Sequence, residues 1–65
     1  MVIEHIFLSE TLNNIVVLKQ NTYSSNVINI TLVTEHGEDK VNLSDVDELV
    51  KNLKLNFISM GVVCD

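Results

Sequence analysis

The chain has 65 residues, nine Asp or Glu against four Lys and no Arg, a formal net charge of −5, and 46% hydrophobic positions. That length accommodates at most one domain, residues 1–65, and the hydrophobic share is too high for intrinsic disorder, which needs low hydrophobicity with high net charge. The scarcity of cations argues against direct nucleic-acid binding, which needs several positive side chains on one face.

From the start, Val2 to Leu8 and Ile15 to Gln20 are rich in β-branched residues and read as strands, with Asn13-Asn14 able to supply the left-handed backbone of a tight turn. Leu8, Leu12, Ile15 and Val16 also have helical spacing, but the Ile15-Val16-Val17 run argues against a helix. Asn21 to Ser25 reads as the polar connection to a second hairpin.

That second hairpin spans Asn26 to Ser44. Ile28, Ile30 and Leu32 alternate with polar residues, as do Val41 and Leu43, and His36-Gly37 lies between the two runs. With His36-Gly37 central in the turn, Thr34 is expected opposite Asp39, Leu32 opposite Val41 and Ile30 opposite Leu43.

Ser44 has the character of an N-cap, and Asp45, Asp47 and Glu48 place negative charge at the positive end of the macrodipole of a helix. Val46, Leu49, Val50, Leu53, Phe57 and Met60 recur at helical spacing on one stripe. Leu55, Ile58 and Val62 point away from it. Either the helix stops near Lys54 or Asn56 and a strand follows, which Gly61-Val62-Val63 would permit, or this second face meets a partner. The expected helix reaches about Ser59 with a short extended tail. The predicted fold class is therefore α+β: an antiparallel sheet of about four strands in two hairpins, followed by one C-terminal amphipathic helix.

Chemical motifs are absent. His5 and His36 are the only histidines and Cys64 is the only thiol, with no metal-ligand spacing such as CxxC or HxxxH. A His5–Cys64 nucleophilic pair lacks any orienting context. With two glycines, Gly37 and Gly61, no Gly-rich phosphate loop is possible. The expectation is a protein that is not an enzyme and holds no metal or cofactor. One Cys, no basic segment ahead of an apolar run at the start, and no apolar stretch near the roughly 20 residues that span a bilayer point to the cytoplasm and away from membranes.

The acids are concentrated. Glu35, Glu38, Asp39, Asp45, Asp47 and Glu48 share one stretch with Lys40 as its only cation, and that stretch carries the whole net charge. Such a surface favours a basic protein partner. The composition, heavy in Asn, Ile, Leu and Val and empty of Ala, Arg and Pro, resembles that of small phage or mobile-element proteins. The first functional expectation is thus an inhibitor or modulator of a host nucleic-acid enzyme or another basic protein, bound through those six acids. The alternative is a structural or assembly subunit. One helix covers one sheet face, and Val2, Ile6, Leu8, Val16, Leu18 and Val33 cannot all lie on it, so the remainder, with Leu55, Ile58 and Val62, would form a homodimer interface.

Overall fold

The computed structural model describes residues 1–24 and 27–63. Five strands form one antiparallel sheet: β1 (Val2–Ser9), β2 (Asn14–Ser24), β3 (Val27–Thr34), β4 (Gly37–Val41) and β5 (Leu55–Val63). Their order across the sheet is β4-β3-β2-β1-β5, so β4 and β5 are its two edges. A single α-helix, α1 (Val46–Leu53), is entered through a 3-10 turn at Leu43–Asp45 and connects the two edge strands. The α+β class holds, with five strands in place of about four, and the helix precedes the last strand instead of ending the chain.

The helix stops at Leu53 because Lys54 takes a left-handed conformation (φ 49°) and the β1–β2 loop receives the helix's last carbonyls. Glu10 N–H donates to the Lys54 carbonyl (3.2 Å) and Thr11 N–H to that of Leu53 (3.4 Å). The Thr11 hydroxyl donates to the Asn52 carbonyl (3.0 Å), and the Ser9 hydroxyl donates to that of Leu53 (2.6 Å) while accepting from Leu12 N–H (3.1 Å). Carbonyls that a longer helix would have bonded internally are thereby satisfied from outside. The expected extension to Ser59 fails for this reason, and the following residues run as a strand beside β1.

Phe57 and Met60 still lie on the helix side of the sheet. Phe7 pairs with Phe57 and His5 with Met60, but a bulge intervenes, since Ile6 pairs with Ser59 and Ile58 is the extra residue. That inserted residue shifts the alternation by one, so a spacing that reads as helical is produced by a bulged strand. The Phe7 and Phe57 rings meet edge to face, 5.9 Å between centroids.

The second hairpin also differs from expectation, by two residues. Thr34 pairs with Gly37, Leu32 with Asp39 and Ile30 with Val41, so Glu35-His36 is the turn. Neither central residue has positive φ, whereas Gly37 has φ 127°, a region that disfavours side chains. The Thr34 hydroxyl accepts from His36 N–H (3.2 Å), which fixes the turn one step earlier. An even slip leaves the faces unchanged, so Ile30, Leu32 and Val41 remain together. At the preceding connection, Asn21–Ser24 extend β2, and the remainder of the predicted link, Ser25, lies outside the described residues.

Ser44 is not the helix cap. It sits inside the 3-10 turn, and Asp45 occupies the N-cap position without a side-chain capping bond. Val46, Leu49, Val50 and Leu53 form the half-buried face of α1, toward the sheet. On that side of the sheet lie Ile3, His5, Phe7, Ser9, Val16, Leu18, Gln20, Ile30 and Leu32, as the pairing of each strand with its neighbours requires. Among the described residues only Val16 (0% exposed), Ser9 (0%) and Leu18 (6%) are fully sequestered.

Candidate interaction surfaces

The two edges of the sheet differ in chemistry. β4 reads Gly-Glu-Asp-Lys-Val, with three consecutive charged residues, the usual protection of an edge whose backbone groups would otherwise recruit another strand. β5 reads Leu-Asn-Phe-Ile-Ser-Met-Gly-Val-Val and has no charge and no proline over nine residues. Its inner edge pairs with β1, and among the described residues no strand pairs with its outer edge. Phe57 (62%), Ile58 (52%), Met60 (59%) and Val62 (57%) are solvent-exposed on it.

The three residues expected at an oligomer interface, Leu55, Ile58 and Val62, therefore fall on one element, but that element is an edge strand and not a second helix face. Leu55 is half-buried, Ile58 is the bulge residue, and Val62 faces the helix side opposite Ile3. Phe57 and Met60, assigned by their spacing to the buried stripe, join the exposed set because α1 does not extend over β5.

The open side of the sheet is a second apolar surface. Leu8 pairs with Ile15, Ile6 with Val17, and Val17 with Val33, so these five residues are contiguous. Leu8 and Ile15 are exposed and the other three half-buried. Antiparallel sheets with one solvated face ordinarily carry polar residues there. Of the six apolar residues expected to exceed the capacity of one face, Val2, Ile6, Leu8 and Val33 lie on this open side, whereas Val16 and Leu18 form the buried centre.

All six candidate acids are exposed, but they do not converge on one face. Glu35 is in the turn, where its carboxylate accepts from the Asn14 amide (3.0 Å) and lies 3.6 Å from His36 Nε2. Glu38 is on the open side, opposite Val33, and pairs with Lys19 Nζ at 3.6 Å. Asp39 is on the helix side, opposite Leu32. Asp45 lies in the 3-10 turn, its carboxylate 3.5 Å from the Asn42 amide, and Asp47 and Glu48 occupy the first turn of α1. Alternation along β4 separates Glu38 and Asp39 onto opposite faces of the sheet, apart from the three acids at the start of α1.

Among the described residues there is no group of three or more His, Cys, Asp or Glu side chains able to hold a metal ion. His36 is exposed in the turn, and His5 lies half-buried under the helix. Cys64, the other member of the considered nucleophilic pair, lies outside the described residues. No described helix is long and apolar enough to cross a membrane. Comparisons with protein-family models, curated proteins and solved structures find no match to this chain.

Proposed function

We propose that the chain is a non-enzymatic assembly module that forms a homodimer by antiparallel pairing of β5 with β5 of a second copy. The single observation that carries this reading is the contrast between the two edges: β4 is charged, whereas β5 is uncharged, apolar and, among the described residues, unpaired on its outer side. A second copy is the occupant because the same strand supplies both the donor and the acceptor rows, and a two-fold axis brings identical apolar surfaces together without opposing charges. The bulge at Ile58 bends the strand, so the regular stretch Ser59–Val63 is the part suited to pairing. A core with so few fully buried side chains gains most from such an addition.

Light scattering after size exclusion tests the proposal. The wild-type chain should elute at twice the 7.3 kDa mass of the monomer. Val62→Lys puts a charge on the β5 edge and should give a folded monomer, whereas Asp39→Lys on the far edge should leave the dimer intact. A wild-type monomer at millimolar concentration, or a Val62→Lys dimer of unchanged affinity, refutes the proposal.

A second reading, an inhibitor or modulator that grips a basic protein such as a nucleic-acid enzyme, is favoured by the exposure of all six acids, three in the β3–β4 hairpin and three in the 3-10 turn and helix start that follow it. Capture of that partner should weaken as salt rises and upon charge reversal at Glu35, Glu38 and Asp39. Capture indifferent to both would remove it.

A further inference from the structure

The helix does not close completely onto the sheet. A cavity of about 220 Å³ remains between them, with Phe7 and Leu18 in its floor, Val46 and Val50 in its roof, and His5 and Gln20 in its wall. His5 pairs across the sheet with Leu18, and Gln20 lies two residues along the same strand, so both polar side chains belong to the helix side. Among the described residues neither the imidazole nor the carboxamide has a hydrogen-bond partner in the chain. Ser9, the other polar residue beneath the helix end, is bonded on both sides. Both side chains are half-buried, and among the described residues no unpaired side-chain polar atom is sealed from solvent, so the cavity opens to water beside two groups able to bond a ligand.

From this arrangement we infer a binding site for a small uncharged molecule with a single-ring or short-chain apolar body and one hydroxyl group. The size is adequate, since an apolar cavity of about 150 Å³ suffices for benzene. The volume is below the range of about 300–1,000 Å³ typical of sites for drug-sized ligands, which restricts the class to fragments. An imidazole and a carboxamide can between them donate to and accept from one ligand oxygen, the combination that satisfies a hydroxyl. A carboxylate head fits poorly. The chain's net charge of −5 repels it, and Lys19, although it borders the cavity, holds its ammonium 3.6 Å from the Glu38 carboxylate on the open side.

NMR titration of the full chain with phenol, toluene and benzoate tests the site. Phenol should shift the Val46 and Val50 methyl signals and the His5 ring signals saturably, and benzoate should bind more weakly than phenol. The double variant His5→Leu, Gln20→Leu should weaken phenol binding about tenfold or more while leaving toluene binding unchanged, about 1.4 kcal/mol assigned to the hydroxyl contacts. Val50→Trp, which fills the cavity, should abolish binding of both while amide dispersion reports an intact sheet. Shifts that do not saturate, equal losses of phenol and toluene in the double variant, tighter binding of benzoate, or undiminished phenol binding by a folded Val50→Trp chain would each overturn the inference.

Discussion

Replacing Ser9 by alanine removes one oxygen from the most sequestered polar position described in the chain. That hydroxyl is fully buried, donates to the Leu53 carbonyl at 2.6 Å and accepts from Leu12 N–H at 3.1 Å. Leaving a shielded polar group unpaired costs about 1–3 kcal/mol each. The two losses are unequal. The Leu53 carbonyl keeps a weak bond from Thr11 N–H at 3.4 Å, whereas the bond from Leu12 N–H has no such replacement. The expected total for Ser9→Ala is therefore about 2–3 kcal/mol. For a 65-residue chain, whose whole stability on the usual per-residue scale is about 3–10 kcal/mol, that is a large fraction. Urea unfolding followed by circular dichroism would measure it, with wild type and variant at one protein concentration because self-association adds its own stabilisation. Thr11→Val is the control: its hydroxyl bonds to the Asn52 carbonyl at 3.0 Å in an exposed setting, and its loss should cost about 1 kcal/mol or less. A Ser9→Ala loss no larger than that of Thr11→Val would refute the argument that the β1–β2 loop terminates the helix through this hydroxyl.

Four further substitutions have signed outcomes measurable by the same unfolding experiment. Lys54→Gly should stabilise the chain by about 0.5–1 kcal/mol, since the residue is left-handed (φ 49°) and glycine bears no penalty there. Gly61→Val should also stabilise, by about 0.5–1 kcal/mol, because a Cβ at that position meets nothing within 4 Å and the backbone is already extended. Leu18→Ala should cost about 2–5 kcal/mol and Leu49→Ala distinctly less, because Leu18 is 6% exposed whereas Leu49 is only half-buried.

Strands β1 and β2 are legible from their β-branched residues, and β3 and β4 from the alternation of Ile28, Ile30 and Leu32 and the apolar Val41 on either side of a Gly-containing turn. The register of the second hairpin is less legible. A slip of two residues preserves every face, so hydrophobic pattern alone cannot choose between a His36-Gly37 turn and a Glu35-His36 turn. Backbone geometry chooses, through the positive φ of Gly37 and the bond from His36 N–H to the Thr34 hydroxyl. The end of the helix is hidden for another reason. The usual sign of a helix stop is glycine, and here Lys54 adopts that conformation while partners 44 residues earlier in the chain complete the termination. Gly61-Val62-Val63 permits a strand, but the bulge at Ile58 gives Phe57 and Met60 the spacing of a helix. The acids show the converse limit, because clustering in sequence does not specify a common face once β4 alternates. The cavity wall was hidden because His5 and Gln20 look like ordinary interruptions of strand pattern until the helix is placed above them.

The position of β5 beside β1 has a kinetic consequence. The chain's last described strand completes a pairing with its first, across most of the sequence, and ordered ends of that separation are slow to find one another. During synthesis β1 can pair with β2 long before β5 leaves the ribosome, so for that interval the flank of β1 is itself a free edge carrying Ile3, Ile6 and Phe7. The nascent protein thus exposes at β1 what the finished one exposes at β5, and a β1 edge captured by another chain excludes the chain's own β5 from its place. Molecules trapped in this way would display an unbound β5 segment, distinguishable from native assembly by its susceptibility to proteolysis.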